Sequence, residues 1–151
     1  MVLHFAYGSN LDRDQMKCRC PDYKFVGIAK KPDYRIAFTR CSKNRKGGVA
    51  DIVESDGDVV WGALYELSKK DIECLDYYEG VKFGAYRRES DFEVVRPDGA
   101  TVKTYTYIVC ERGCFMPHKK YLDQIIKGAQ EWGLPLAYIE KLKRITYKEE
   151  S

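Results

Sequence analysis

The chain has 151 residues, 44% of them hydrophobic and 32% charged, which is the profile of one globular domain with room for a core rather than of a disordered segment. Its 26 Lys and Arg face 23 Asp and Glu, and a net charge of +3 is too small to mark a nucleic-acid-binding surface. No apolar run reaches membrane-spanning length, and the opening MVLHFAYGSN lacks the basic head and long apolar stretch of a secretory leader, so a cytosolic protein is expected.

In chain order, VLHFAYG reads as a short apolar strand ending in glycine. SNLDRDQM then carries helix-start residues, which places a strand–loop–helix junction near residues 8–12. FVGIAKKPDYRIAFTR reads as two extended stretches broken by Lys30-Lys31-Pro32-Asp33. KNRK at 43–46, the densest basic run, lies beside Gly47-Gly48 and reads as a solvated loop. VADIVE and VVWGALYEL are strands facing each other across a turn at Ser55-Asp56-Gly57-Asp58. LSKKDIECLDYYEG is a helix with Ser68 as N-cap, Asp71 near its positive end, Ile72, Leu75 and Tyr78 near one face and Gly80 as its stop.

RRESDFEVV and TVKTYTYIV flank Pro97-Asp98-Gly99 as a second hairpin, and the latter alternates Val102, Thr104, Thr106 and Ile108 against Lys103, Tyr105, Tyr107 and Val109. HKKYLDQIIKGAQEWG is a helix stopped by Gly133, and LPLAYIEKLKRI a shorter one started by Pro135. Five to seven hairpin-linked strands and about three helices favour an α+β domain over residues 1–151, with a mainly antiparallel sheet, open or closed.

The cysteines are Cys18, Cys20, Cys41, Cys74, Cys110 and Cys114. A domain of this length needs no disulfide framework, and C-x-C and C-x3-C are not the usual zinc knuckle, so they read as small core residues or bystanders, with Cys74 inside a helix. His4, in the apolar first strand, and His118, after Pro117, read as structural or exposed. Ser9 lacks the G-x-S-x-G elbow and evident triad partners, and Gly47-Gly48 lacks the Lys-Ser/Thr of a phosphate loop.

Three segments remain: Tyr7-Gly8-Ser9-Asn10-Leu11; Glu79-Gly80-Val81 followed by Gly84-Ala85-Tyr86; and a tail of Gly128-Ala129, Gly133-Leu134-Pro135-Leu136, Tyr138 and Glu140-Lys141-Leu142. Taken singly, Glu79 is an ordinary helix-end glutamate and residues 7–10 an ordinary turn capped by Asn10. In this order and combination they resemble the gamma-glutamylcyclotransferase family, and the resemblance runs from Tyr7 to Ile145. It implies a small mixed, mainly antiparallel β-barrel with flanking helices and no metal or organic cofactor. It also implies a small-molecule gamma-glutamyl substrate, and a homodimer as in dimer-forming relatives. The family's catalytic glutamate falls on Glu79 and its substrate loop on Tyr7, Gly8, Ser9, Asn10 and Leu11. Its active-site tyrosines fall on Tyr86, Tyr107 and Tyr121.

The implied reaction closes 5-oxoproline by attack of the substrate's own α-amine on its γ-carbonyl. That amine is protonated at neutral pH, and the departing nitrogen needs a proton, so one carboxyl that accepts and then donates serves both steps. Glu79, at the negative end of a helix and close in sequence to Tyr77, Tyr78 and Tyr86, suits a carboxyl of raised pKa. The loop amides suit the α-carboxylate or the oxyanion. Three other readings stand beside cleavage of gamma-glutamyl amino acids: the same chemistry on gamma-glutamylamines such as gamma-glutamyl-lysine, a non-catalytic small-molecule-binding module, and a cysteine metal site.

Overall fold

The computed structural model describes residues 2–149. Five strands close a barrel in the order β1-β3-β2-β4-β5, with β1 at Val2–Ala6, β2 at Lys24–Ser42, β3 at Gly47–Leu67, β4 at Tyr86–Val95 and β5 at Thr101–Val109. Four helices flank it: α1 (Arg13–Arg19), α2 (Lys69–Tyr78), α3 (Lys119–Trp132) and α4 (Leu136–Lys143). Every neighbouring pair is antiparallel except β1 and β5, whose parallel bridge His4–Tyr105 closes the barrel. The fold is therefore the mixed barrel with flanking helices that the resemblance implies.

The hairpin expected at Ser55–Asp58 does not form. VADIVE and VVWGALYEL run end to end in β3, and the two stretches around Lys-Lys-Pro-Asp run end to end in β2. The two breaks lie opposite one another, so that residues 55–58 bulge out between Glu54 and Val59 against the single residue Asp33. Gly57, at φ 81°, donates its N–H to the Asp33 carboxylate at 3.0 Å, and Asp33 itself sits at φ 62°. Residues suited to a turn thus bend two long strands without separating them, as a curved sheet requires.

Helix α2 starts on the expected cap. Ser68 accepts from the Asp71 N–H, and the Asp71 carboxylate accepts from the Ser68 N–H, a reciprocal box that satisfies two orphan donors. Ile72 and Leu75 are buried, whereas Tyr78, expected on the same face, is 51% exposed because it lies in the last turn at the rim of a cleft. Cys74 is only partly buried and Cys20 alone of the six is fully so; Cys18, Cys41, Cys110 and Cys114 are exposed, and all six are free thiols. No helix among the described residues is long and apolar enough to cross a membrane.

The loop between β1 and α1 is pinned from several sides. The Tyr65 hydroxyl, deep in the core, donates to the Asn10 carbonyl oxygen at 2.7 Å and accepts from the Trp132 indole N–H at 3.0 Å. Asp12, rather than Asn10, caps α1. Leu11 is fully buried against α3 at Gly128, where a Cβ would come within 2.3 Å of the Leu11 carbonyl carbon. Only glycine lets helix and loop approach so closely. Gly128→Ala should therefore destabilise the fold by about 1–3 kcal/mol, as overpacking does; urea titration with an unchanged midpoint would show that α3 does not press on this loop.

Candidate active site

Glu79 is the C-cap of α2, and its backbone N–H still bonds to Leu75. Gly80 follows at φ 65°, a left-handed conformation that turns the chain away immediately after the carboxyl. The partly buried Glu79 side chain lies where two hollows meet. The inner one is walled by His4, residues 5–10, Ala50, Tyr86, Thr106, Tyr107 and Tyr121. The outer one opens past Arg19, Arg40, Arg45 and Tyr78. Ser9, Glu79, Tyr86 and Tyr121 border both.

Asn10 connects the loop to the carboxyl. Its Nδ2 donates to Glu79 Oε1 at 3.0 Å, while its Oδ1 accepts from Arg19 Nη1 and Gln15 Nε2, each at 3.0 Å. A guanidinium can only donate, so the Arg19 contact fixes which way the Asn10 amide points. Gln15 also donates to Ser9 Oγ at 2.8 Å, and its carbonyl oxygen accepts from Arg45 at 2.7 Å and from Gln124 at 2.9 Å. Glu79 Oε2 has no partner among the described residues and is available to a ligand.

Burial is the largest influence on Glu79 and raises its pKa; the charge of Arg19, the Asn10 hydrogen bond and the charge of Arg45 oppose that rise, and Asp76 adds to it. Arg19 is itself partly desolvated, which lowers its pKa, and its guanidinium lies 4.8 Å from the centre of the Tyr78 ring. His4 is held by burial to a pKa of about 4, and its Nδ1–H donates to the Tyr105 carbonyl oxygen at 3.1 Å, so it is a neutral wall residue. His118 caps α3, accepting from the Lys120 N–H.

The tyrosines line the cleft in different ways. Tyr7 donates to the Tyr107 carbonyl oxygen at 2.6 Å. Tyr86 and Tyr121 grip one residue of β3 from its free edge: Tyr86 donates to the Ala50 carbonyl oxygen at 2.6 Å, and Tyr121 accepts from the Ala50 N–H at 2.9 Å. Tyr121 thereby keeps its own proton free to donate, and burial pushes its pKa up to about 12. The Tyr107 hydroxyl turns from the cleft to Asp76, at 2.6 Å, and accepts from Tyr105. Leu11 does not border the cleft at all; it anchors the loop from beneath. Gly8, Ser9 and Asn10 do border it, and their backbone N–H groups have no acceptor among the described residues.

Sequence reasoning passed over Gln15, Arg19, Arg40 and Arg45. The KNRK run reads as a solvated loop, yet Arg45 turns inward to Gln15 and Gln124 and stacks 5.2 Å from the centre of Tyr121. Arg19 lies two turns of helix beyond the loop, at i+9 from Asn10, a spacing with no local signature.

This arrangement can hold a small molecule with a carboxyl of raised pKa at its middle, unpaired N–H donors on one side and guanidinium groups on the other. The AIG2-like family matches residues 59–142. Human gamma-glutamylcyclotransferase is 36% identical over 147 residues, covering 95% of this chain and 78% of that protein. The mouse gamma-glutamylcyclotransferase is 36% identical over 151 residues, covering 97% and 80%. A solved gamma-glutamyl cyclotransferase superposes with a TM-score of 0.95 at 34% identity, over 99% of this chain and 90% of its own. Identity of this order over nearly the whole chain, on the same barrel, places the chain in the gamma-glutamylcyclotransferase family.

Proposed function

We propose that the protein is a gamma-glutamylcyclotransferase in which Glu79 relays the proton, the Gly8–Asn10 loop holds the glutamyl end and the Tyr121 hydroxyl lies beside the reacting carbonyl. The observation that carries this reading is the position of Glu79 at the junction of two adjoining hollows. One Glu79 oxygen is held by Asn10, and the other has no partner among the described residues.

Glu79 takes a proton from the α-ammonium of the substrate. The freed nitrogen attacks the γ-carbonyl carbon, a C–N bond forms, and the carbonyl electrons move to oxygen. The ring nitrogen gives up its second proton to solvent, the tetrahedral species collapses, the bond to the leaving nitrogen breaks, and Glu79 returns its proton to that nitrogen. The products are 5-oxoproline and a free amine, with no water consumed. Because nucleophile and electrophile are in one molecule, holding the glutamyl chain bent captures a proximity advantage worth up to roughly 7–11 kcal/mol in ideal cases. The N–H groups of Gly8, Ser9 and Asn10 suit the α-carboxylate. The free proton of Tyr121 suits the developing oxyanion. Phenol pKa values raised by burial keep Tyr7, Tyr86 and Tyr121 neutral as donors.

The reading extends to a single catalytic domain over residues 1–151 working in the cytosol. The exposed free thiols at Cys18, Cys41, Cys110 and Cys114 fit a reducing compartment.

Glu79→Gln keeps the shape of the side chain and removes the proton acceptor, so 5-oxoproline release from gamma-glutamyl dipeptides should fall by about 10²–10⁴-fold. A carboxyl whose folded pKa lies above its unfolded value costs stability once pH exceeds the folded pKa. The same substitution should therefore leave the melting temperature at neutral pH unchanged or higher. Wild-type turnover in this variant would refute the relay.

The pH profile gives a second check. Glu79 must be ionised to begin, so kcat/KM should fall as pH drops through its raised pKa, placing the acidic limb above the usual glutamate value of about 4.3. Arg19 opposes that rise. Arg19→Gln should move the limb to higher pH, and a shift to lower pH would contradict the assignment.

A further inference from the structure

The outer hollow carries an excess of positive charge. Arg19, Arg40 and Arg45 border it, Glu79 is the one carboxylate that does, and none of the three arginines has a carboxylate oxygen within 4.0 Å among the described residues. Two of the three are committed elsewhere. Arg19 holds Asn10 and lies over Tyr78, and Arg45 holds Gln15 and Gln124. Arg40 has no side-chain hydrogen bond or ion pair among the described residues. It stands in β2 at a register shift next to Thr39, is partly buried, and borders only the outer hollow. A guanidinium with all five donors open, in a concave site bearing two further cations, is built to receive an anion.

The geometry of the reaction says which anion. A single carboxyl that takes the proton from the α-amine and returns it to the leaving nitrogen must sit beside the bond that breaks. Glu79 is at the boundary of the two hollows, so the glutamyl part lies on one side of that boundary and the leaving group on the other. The inner hollow carries the loop N–H donors and no cationic side chain, and it takes the glutamyl end with its α-carboxylate. The outer hollow opens to solvent and takes the leaving group.

Resting on the cyclotransferase reading above, we infer that Arg40, assisted by Arg45, forms a subsite for the carboxylate of the leaving amino acid. The enzyme thereby selects gamma-glutamyl amino acids over gamma-glutamylamines whose leaving group carries no carboxylate. A leaving group that carries an ammonium and no carboxylate is repelled by the same groups. Arg40 acts in specificity, through KM, and takes no part in the proton relay.

The test compares two substrates that differ by one group, gamma-glutamylalanine and its C-terminal amide, gamma-glutamylalaninamide. Wild type should favour the acid in kcat/KM by at least roughly tenfold, carried by KM, since losing a charge-assisted contact has that scale. The preference should shrink as ionic strength rises. In Arg40→Gln the acid-to-amide ratio should fall toward one, with the KM for the acid raised. Equal use of acid and amide by wild type, or an unchanged ratio in Arg40→Gln, would overturn the subsite. Because the wild-type comparison needs no variant, misfolding of Arg40→Gln cannot protect the inference. Release of 5-oxoproline from neither substrate would instead refute the cyclotransferase reading on which the subsite rests.

Discussion

The hydrogen bond from Asn10 to Glu79 joins the two halves of the candidate site, and much of the surrounding structure serves to place it. Asn10 belongs to the loop after β1, and Glu79 to the end of α2, 69 residues later. A carboxyl at this depth resists ionisation, and the Asn10 amide and the charge of Arg19 draw it back toward the charged form. A group balanced in this way can accept a proton and release it within one cycle. A freely solvated glutamate would be a weaker base, and one paired directly to an arginine would hold its charge too firmly to become an acid.

The scaffold makes that bond geometrically dependable. Tyr65 holds the Asn10 carbonyl from the core, Arg19 and Gln15 set the direction of its amide, and Leu11 wedges the loop beneath Gly128. On the other side, the Ser68–Asp71 box fixes where α2 begins and Gly80 where it ends, so the position of Glu79 follows from both helix termini. The tyrosines contribute in the same spirit. Tyr86 and Tyr121 bond to Ala50 on the free edge of β3, and Tyr7, just after β1, bonds to β5 at Tyr107, so that hydrogen bonds tie the cleft walls together.

What could be read from residues alone follows from how local each feature is. The α2 cap, the stops at Gly80 and Gly133, and the β4–β5 hairpin at Pro97-Asp98-Gly99 depend on neighbours in sequence, and all formed as expected. The Ser55–Asp58 segment has the composition of a turn, but whether it reverses a strand or bends one depends on Asp33 across the sheet, and no local pattern reveals that partner. The Tyr7–Asn10 loop and Glu79 were legible through their combined motifs, and the structure brings them together. Leu11 and the Tyr107 hydroxyl are in the same neighbourhood with different partners, Leu11 packing beneath Gly128 and Tyr107 donating to Asp76. Arg19, Arg40 and Arg45 were hidden because an arginine's role depends on what its long side chain reaches. Net charge of +3 spreads that information over the whole chain.

The account depends most on Glu79 carrying a raised pKa in the folded protein. Carboxyl-carbon NMR of protein labelled at glutamate side chains, titrated with pH and assigned by loss of one resonance in Glu79→Gln, measures it without reference to any substrate. The account predicts that this resonance titrates above the usual glutamate value of about 4.3 and moves higher still in Arg19→Gln. A Glu79 resonance titrating at or below that value would leave the carboxyl a poor proton donor to the departing amine and would contradict the proposed relay.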